Sequence, residues 1–548
     1  MNALARLVDA DAIRRLVDRD PTLFSSDVDQ RQPIIQRLGW TDLADKAEGR
    51  LPLVENLAKA LIDEGATDIV LLGMGGSSLA PIVLLRMIGA APGMPRLHVL
   101  DTTCPSTVLE LKNRLDPAST YFVVASKSGT TIEPLSLYAI FREWMDEHLE
   151  RVPAGKHFIA ITDPGSELEK MRQRQVMRVA LSAPPTVGGR FSALSMFGLA
   201  PAALMGIDLR SFIATALPME RECQSADENT NPGALLASWI VDSLELGRDK
   251  LTVVTSPAYS SFGLWVEQLV AESTGKSGIG VIPVLENPPV DVLHYGPDRA
   301  VVVLRKSVDS DLETFAARAR EAGHPVVEFT LDDPLGIGAE FVRWEYAIAL
   351  VGHLLGINPF DEPNVAEAKQ ATTAVLDGTG GAPRAIADIG GVWPGYSDAM
   401  GVGAAPTSLE DALGAVRAAL RPGDYLAILA YVPERDEHLS PLYDAAGLVS
   451  AGTGNAVCVE LGPRYLHSTG QLHKGGPDTG VFLIITTRDA ANLAIPGQPF
   501  SLGQLYRAQA EGDFVTLAAH GRRVARMDLP DNDPATLRAL AEALAAGA

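Results

Sequence analysis

Five of the six residues from Ser126 to Thr131, in Tyr121-Phe-Val-Val-Ala-Ser-Lys-Ser-Gly-Thr-Thr-Ile-Glu-Pro134, carry a side chain that can donate a hydrogen bond. They follow an apolar run that reads as a buried strand, and a helix is expected after them. Four hydroxyls and one ammonium at a helix N-terminus suit an anion with several oxygens, above all a phosphate monoester. A helix cap needs only one hydroxyl. Asp68-Ile-Val-Leu-Leu-Gly-Met-Gly-Gly-Ser-Ser-Leu-Ala-Pro81 also runs from strand through glycines to helix. Its turn aims free N–H groups and the positive end of a helix dipole at one spot. It has neither the Gly-Lys-Ser/Thr closure of a P-loop nor the dinucleotide spacing. Alone, it reads equally as a turn that needs glycine for positive φ.

Two more stretches could act on what such a cradle holds. Val187-Gly-Gly-Arg-Phe-Ser192 presents Arg190 beside a tight glycine turn, where a guanidinium can stabilise a developing enediolate oxygen. Leu264-Trp-Val-Glu-Gln-Leu-Val-Ala-Glu-Ser-Thr-Gly-Lys276 reads as a helix that buries Trp265, Leu269 and Val270 and stops at Thr274-Gly275. Gln268 and Glu272 lie four apart on one face. A carboxylate beside an apolar face is a candidate general base, because partial burial moves its pKa toward neutrality. Taken singly, Arg190 is a surface arginine and Glu272 a solvated helix residue. Their weight comes from their company.

The elements that must carry these groups follow from periodicity. Residues 1–64 read as helical, from the stripe Leu4, Leu7, Ile13, Leu16 and a clearer one over Leu51–Ile62. Short Val- and Ile-rich runs then alternate with helical stretches: Ile69–Leu72, Leu97–Leu100, Tyr121–Ala125 and Phe158–Ile161. The pattern restarts with Leu251–Thr255, Gly280–Leu285, Ala300–Leu304 and Val326–Thr330, and again with Tyr425–Tyr431, Ala456–Leu461 and Val481–Thr486. Such alternation predicts α/β units with buried parallel sheets. The expected organisation is a helical segment 1–64, α/β units at 65–220 and 221–378, a Gly/Pro-rich connection 379–408, and a smaller C-terminal α/β unit 409–548.

Composition narrows the class of partner. The chain of 548 residues is 47% hydrophobic and 21% charged, ordinary for a soluble protein, with a net charge of −22. A negative field disfavours nucleic acid and anionic membrane surfaces. Three widely spaced cysteines give neither a disulfide framework nor metal-ligand spacing. No signal peptide or membrane span is expected, which points to the cytoplasm.

The order Gly-Gly-Ser-Ser (75–78), Ser-Lys-Ser-Gly-Thr-Thr (126–131), Gly-Gly-Arg-Phe-Ser (188–192) and Glu-Ser-Thr-Gly-Lys (272–276) resembles the sugar-isomerase (SIS) fold, and within it the glucose-6-phosphate isomerases. Ile357-Asn-Pro-Phe-Asp-Glu-Pro-Asn-Val-Ala-Glu-Ala-Lys369 is similar to that family's late motif. Gly462-Pro-Arg-Tyr-Leu-His-Ser-Thr-Gly-Gln-Leu-His-Lys-Gly-Gly-Pro477 is similar to the isomerase half of bacterial transaldolase/glucose-6-phosphate isomerase fusions. The resemblance covers about residues 65–375 and implies two SIS-type units. It implies interconversion of glucose 6-phosphate and fructose 6-phosphate through an enediolate, in glycolysis and gluconeogenesis, with no metal or organic cofactor.

By the same resemblance, Gly76 and Ser77 line the sugar site. Ser126, Lys127, Ser128 and Thr131 hold the phosphate, with Thr130 supporting the loop. Gly189 and Arg190 stabilise the enediolate, Glu272 is the base, Gln268 contacts the sugar, and Lys369 reaches the ring oxygen or a hydroxyl. The ring-opening histidine is expected between Glu272 and Lys369, which points to His294; His473 and His467 are its rivals. In the family a neighbouring subunit often completes the site, and here the C-terminal unit could do so within one chain. Two departures from the family pattern are Gly129, where an aromatic is usual, and Glu362, where many members carry glutamine. The resemblance leaves open a homo-oligomer and a functional association with a separate transaldolase. A wider phosphoglucose/phosphomannose isomerase, and a non-catalytic sugar-phosphate sensor, are the competing functions. A sensor has no use for Glu272, Arg190 and Lys369 together.

Overall fold

Apolar runs flanked by turns become strands because both of their faces are covered. In β1 (Asp68–Leu72), Ile69 and Leu71 enter one core while Val70 and Leu72 enter another on the opposite face, the period-2 consequence of strand geometry. The computed structural model describes residues 2–149, 153–381 and 385–547. Within them β1, β2 (Arg96–Leu100), β3 (Thr120–Ala125), β4 (Phe158–Thr162) and β5 (Val179–Ser182) form a parallel sheet of order β2-β1-β3-β4-β5. A second parallel sheet, β7-β6-β8-β9, contains β6 (Lys250–Thr255), β7 (Ile282–Glu286), β8 (Arg299–Arg305) and β9 (Val326–Thr330). The third contains β10 (Trp393–Tyr396), β11 (Tyr425–Tyr431), β12 (Ala456–Leu461), β13 (Gly480–Thr487) and β14 (Arg523–Leu529), in the order β10-β14-β13-β11-β12. The fold class is α/β, with parallel sheets flanked by helices.

All three sheets wind alike. Among the parallel strands of each sheet, the second pairs on one side of the first and the third on the other (β2-β1-β3, β7-β6-β8, β12-β11-β13), so each has a switch point beyond the carboxyl ends of its first and third parallel strands. Ligands of open α/β sheets bind at such points. In the first sheet β1 and β3 run parallel with Leu72 opposite Val124. Both glycine/hydroxyl turns therefore emerge side by side, which is why residues 50 positions apart in sequence can share a ligand.

The N-terminal helices do not stand apart. Leu7, Trp40 and Leu61 share one core with Val123, Phe191, Trp265 and Trp344, which come from both of the first two sheet regions. Trp40 stacks on Phe191 at 5.0 Å, and Tyr346 Oη donates to Thr41 O at 2.6 Å. Leu38 makes an antiparallel bridge to Val187. The early segment is thus pinned against the turn that carries Arg190.

The 379–408 segment differs from the expected plain connection. Trp393-Pro-Gly-Tyr within it is strand β10, antiparallel to β14 at the edge of the third sheet. A proline and a glycine hide it from a propensity reading, and an edge position tolerates both. Strand β14 is interrupted in sequence by Arg523, Arg526 and Asp528, so its periodicity is masked. The fold neutralises Arg523 inside the unit by an ion pair with Asp424 at 2.6 Å. Short β5 lies at an edge with little burial to mark it.

Candidate active site

The turn after β1 is built for close approach. A Cβ on Gly76 would lie 2.1 Å from Gly189 O, and one on Gly75 would lie 2.8 Å from both Gln268 Nε2 and His467 O. Two side-chain-free positions let the Arg190 turn, the Glu272 helix and the C-terminal unit converge. The result is a cavity of about 400 Å³ lined by Gly76, Ser77, Lys127, Ser128, Thr131, Gly189, Arg190, Gln268, Glu272, Lys369 and His467, among others. That volume is normal for a small-molecule site.

Glu272 sits on the helix Ser260–Thr274, 8% exposed. Gln268, one turn earlier, donates from Nε2 to Glu272 Oε2 (3.1 Å) and to His467 O (2.8 Å). Arg190 Nη1 lies 3.4 Å from Glu272 Oε1 and 3.1 Å from Glu362 Oε2. The rest of this guanidinium is fixed by Ser273 Oγ, Pro359 O and Asp361 O. Burial pushes the Glu272 carboxyl up and the neighbouring Glu362 adds to this; Arg190, His467 and Lys276 pull it back only in part. Burial also works to raise Glu362, but Arg190 and Arg37 outweigh it and hold that carboxyl low.

The hydroxyl-rich loop 126–131 divides in two. Lys127, Ser128 and Thr131 face the cavity. Ser126 is buried beneath the loop, where its Oγ accepts from Gly129 N at 3.1 Å and lies 3.0 Å from Thr131 Oγ1. Thr130 turns instead toward an adjoining chamber of about 450 Å³, which shares Thr131, Lys369 and His467 with the first. Lys127 is ion-paired with Asp163 and also donates to Pro185 O at 3.1 Å.

His294, which chain order favours, and its rival His473 lie elsewhere. His294 is exposed, its backbone near Gly454. His473 is 1% exposed among Tyr425, Tyr465 and Phe482, with Nε2 3.4 Å from Glu460. Neither lines the cavity. His467 does, and its Nε2 lies 2.8 Å from Glu133 Oε1. Gln509 Nε2 donates to the same oxygen at 2.7 Å. Burial works to raise the Glu133 carboxyl, but His467 and Lys369 outweigh it and hold it below the ordinary value. Glu133 carries no motif of its own, and its place as an acid two residues after the hydroxyl-rich loop is the only sequence signal for it.

His467 ends the short turn Arg464–His467 of the C-terminal unit, and a buried clamp seats that turn. Arg464 donates to Asp101 at 2.6 and 2.8 Å, beyond β2, and to Glu434 at 2.5 Å. Gln471 bridges Gly275 O and Asn364 Oδ1. The C-terminal unit is therefore docked where the Glu272 helix, the first sheet and the Lys369 region meet.

A sequence profile of the phosphoglucose isomerase family matches residues 59–282. The chain is 30% identical over 391 residues to a glucose-6-phosphate isomerase of Parasynechococcus marenigrum, across 62% of this chain and 69% of the relative. The chain belongs to the glucose-6-phosphate isomerase family. It is also 28% identical over 352 residues to a probable glucose-6-phosphate isomerase of Methanococcus maripaludis, covering 57% of this chain and 79% of the relative. In structure it is similar to a hypothetical protein of Thermus thermophilus, with a TM-score of 0.60 at 27% identity, over 68% of this chain and 96% of the other.

Membership in the glucose-6-phosphate isomerase family makes the departures in this site informative. Gly129, in place of an aromatic, has a φ of +70° and a Cβ there would lie 2.4 Å from Leu168 N. The helix Glu167–Arg174 occupies the space a ring would need. Glu362, the second departure, bears on Glu272. Its charge raises Glu272, so Glu362→Gln lets Glu272 ionise more easily. The acid limb of kcat against pH is then expected to move down toward the ordinary glutamate value of about 4.3. A shift to higher pH, or none, contradicts this coupling.

Among the described residues no helix is long and apolar enough to cross a membrane.

Proposed function

We propose that this chain interconverts glucose 6-phosphate and fructose 6-phosphate by proton transfer through an enediolate, a step of glycolysis and gluconeogenesis. The observation that carries this reading is the convergence of Glu272, Arg190, Lys369 and His467 on one cavity whose far end is the hydroxyl-rich loop. Isomerisation next to a carbonyl needs one carboxylate, one cation at the developing oxyanion and a remote anchor. Ser77, Ser128 and Thr131, the hydroxyls that face the cavity, anchor the phosphate, and that binding energy holds the reacting carbons in place.

His467 opens the ring. An ionised Glu133 can only accept, so Nε2 carries its proton and Nδ1 is left to exchange a proton with the sugar. Lys369 steadies the ring oxygen or a neighbouring hydroxyl. Glu272 then takes the proton from C2 of the aldose, Arg190 stabilises the negative charge on the enediolate oxygen, the C2 hydroxyl proton passes to the C1 oxygen, and Glu272 returns its proton to C1 to leave the ketose. The raised pKa of Glu272 suits a group that must both take and give it. His467 belongs to the same chain as Glu272, so one chain supplies both groups.

Turnover of fructose 6-phosphate in D₂O tests the route. Transfer through a carboxylate places solvent deuterium at C2 of the glucose 6-phosphate formed. An active enzyme whose product carries no solvent deuterium points to hydride shift and overturns the assignment of Glu272.

A further inference from the structure

Every ammonium or guanidinium facing the cavity has a carboxylate partner except two. Lys127 is paired with Asp163, and Arg190 lies between Glu272 and Glu362. The exceptions among the described residues are Lys369, at the sugar end, and Arg37. A phosphate dianion entering a chain of net charge −22 meets a repelling field, and Lys127 has already spent its charge on Asp163. An uncommitted cation at the phosphate end would offset that field.

Arg37 stands there. The Leu38–Val187 bridge and the bond from Gly39 N to Thr186 O (2.8 Å) lay the N-terminal segment along the Pro184–Gly189 turn. The stem of Arg37 crosses Gly188, where an added Cβ would sit 3.9 Å from Arg37 Cδ. Its half-buried side chain lines the same cavity as Lys127, Ser128, Asp163 and Glu362. It forms no side-chain hydrogen bond or ion pair among the described residues. Its charge nevertheless reaches Lys127, Asp163 and Glu362, and helps hold Glu362 ionised.

We infer that Arg37 is a substrate-binding residue that takes the sugar's phosphate directly, supplying the cation that Lys127 cannot. This rests on the sugar-phosphate reading above and adds a residue from outside the 59–282 match. It also explains how the site carries an acid at 362, because Arg37 restores the charge that Glu362 subtracts. A planar guanidinium can donate twice to a phosphate, which suits this place better than an ammonium.

The test is calorimetric titration of 5-phospho-D-arabinonate, an acyclic phosphate whose carboxylate copies the enediolate end. It is run on wild type, Arg37→Gln, Glu362→Gln and the double variant. Arg37→Gln is expected to weaken binding by about 10- to 100-fold, as for loss of a charge-assisted hydrogen bond. In steady state the loss falls on KM, with kcat within about threefold, since the reacting atoms are untouched. The double variant is expected to stay about 10-fold weaker than Glu362→Gln alone, because the phosphate contact is still missing. If the double variant binds as tightly as Glu362→Gln, Arg37 only neutralises Glu362 and the inference falls. It falls equally if Arg37→Gln binds like wild type. Failure of wild type to bind sinks the sugar-phosphate reading itself, a separate outcome. Should Arg37→Gln fold poorly, Arg37→Met keeps the stem over Gly188 and must show the same loss.

Discussion

Glutamine in place of Glu272 lowers kcat for fructose 6-phosphate by about 10³-fold, within the range for loss of a positioned general base. The substitution keeps the shape of the side chain and removes its basicity. Arg190 remains held by Glu362, Ser273 Oγ and two carbonyls, so the cation stays in place. The phosphate loop is remote from the change, and KM is expected to move by no more than about threefold. A coupled assay for glucose 6-phosphate, run in chelator, reads both quantities. Chelator leaves the wild-type rate unchanged in this mechanism. A variant that keeps kcat within about tenfold of wild type would remove Glu272 from the proton path. A rise in KM at constant kcat would make it a binding residue only.

Alanine at His467 separates ring opening from isomerisation. With a cyclic substrate the loss is expected at about 10²-fold in kcat/KM, the low end of the general acid–base range, because sugar rings also open unaided in water. With 5-deoxy-D-fructose 6-phosphate, which lacks the hydroxyl that closes the ketose ring, the same variant should turn over nearly as wild type does. Equal loss on both substrates would show that His467 shapes the site rather than opens the ring. Glu133→Gln should follow His467→Ala on both substrates, because Glu133 acts only through the imidazole it orients. The exposed His294 and the buried His473 supply internal controls: His294→Ala is expected to leave both rates unchanged.

The sequence alone was enough to place the strands that flank the site. Buried parallel strands need continuous apolar runs, and Ile69–Leu72, Tyr121–Ala125 and Leu251–Thr255 fall inside β1, β3 and β6. It was also enough to pick out the loop at Ser126–Thr131 and the helical pair Gln268/Glu272, because hydroxyl density after a strand and a four-residue spacing are local properties. Charge-broken β14 and proline-containing β10 stayed hidden, since their strand character comes from neighbours rather than from their own residues. Only the tertiary structure decided which histidine faces the cavity. Chain order favours His294, yet the imidazole there belongs to His467, paired with a carboxylate 334 positions away. Arg37 escaped notice for the same reason: its place depends on a bridge between Leu38 and Val187. Spacing within one element reports which side chains share a face. Which faces meet is settled by burying apolar surface and pairing polar groups across the whole chain, and no short stretch of sequence holds that information.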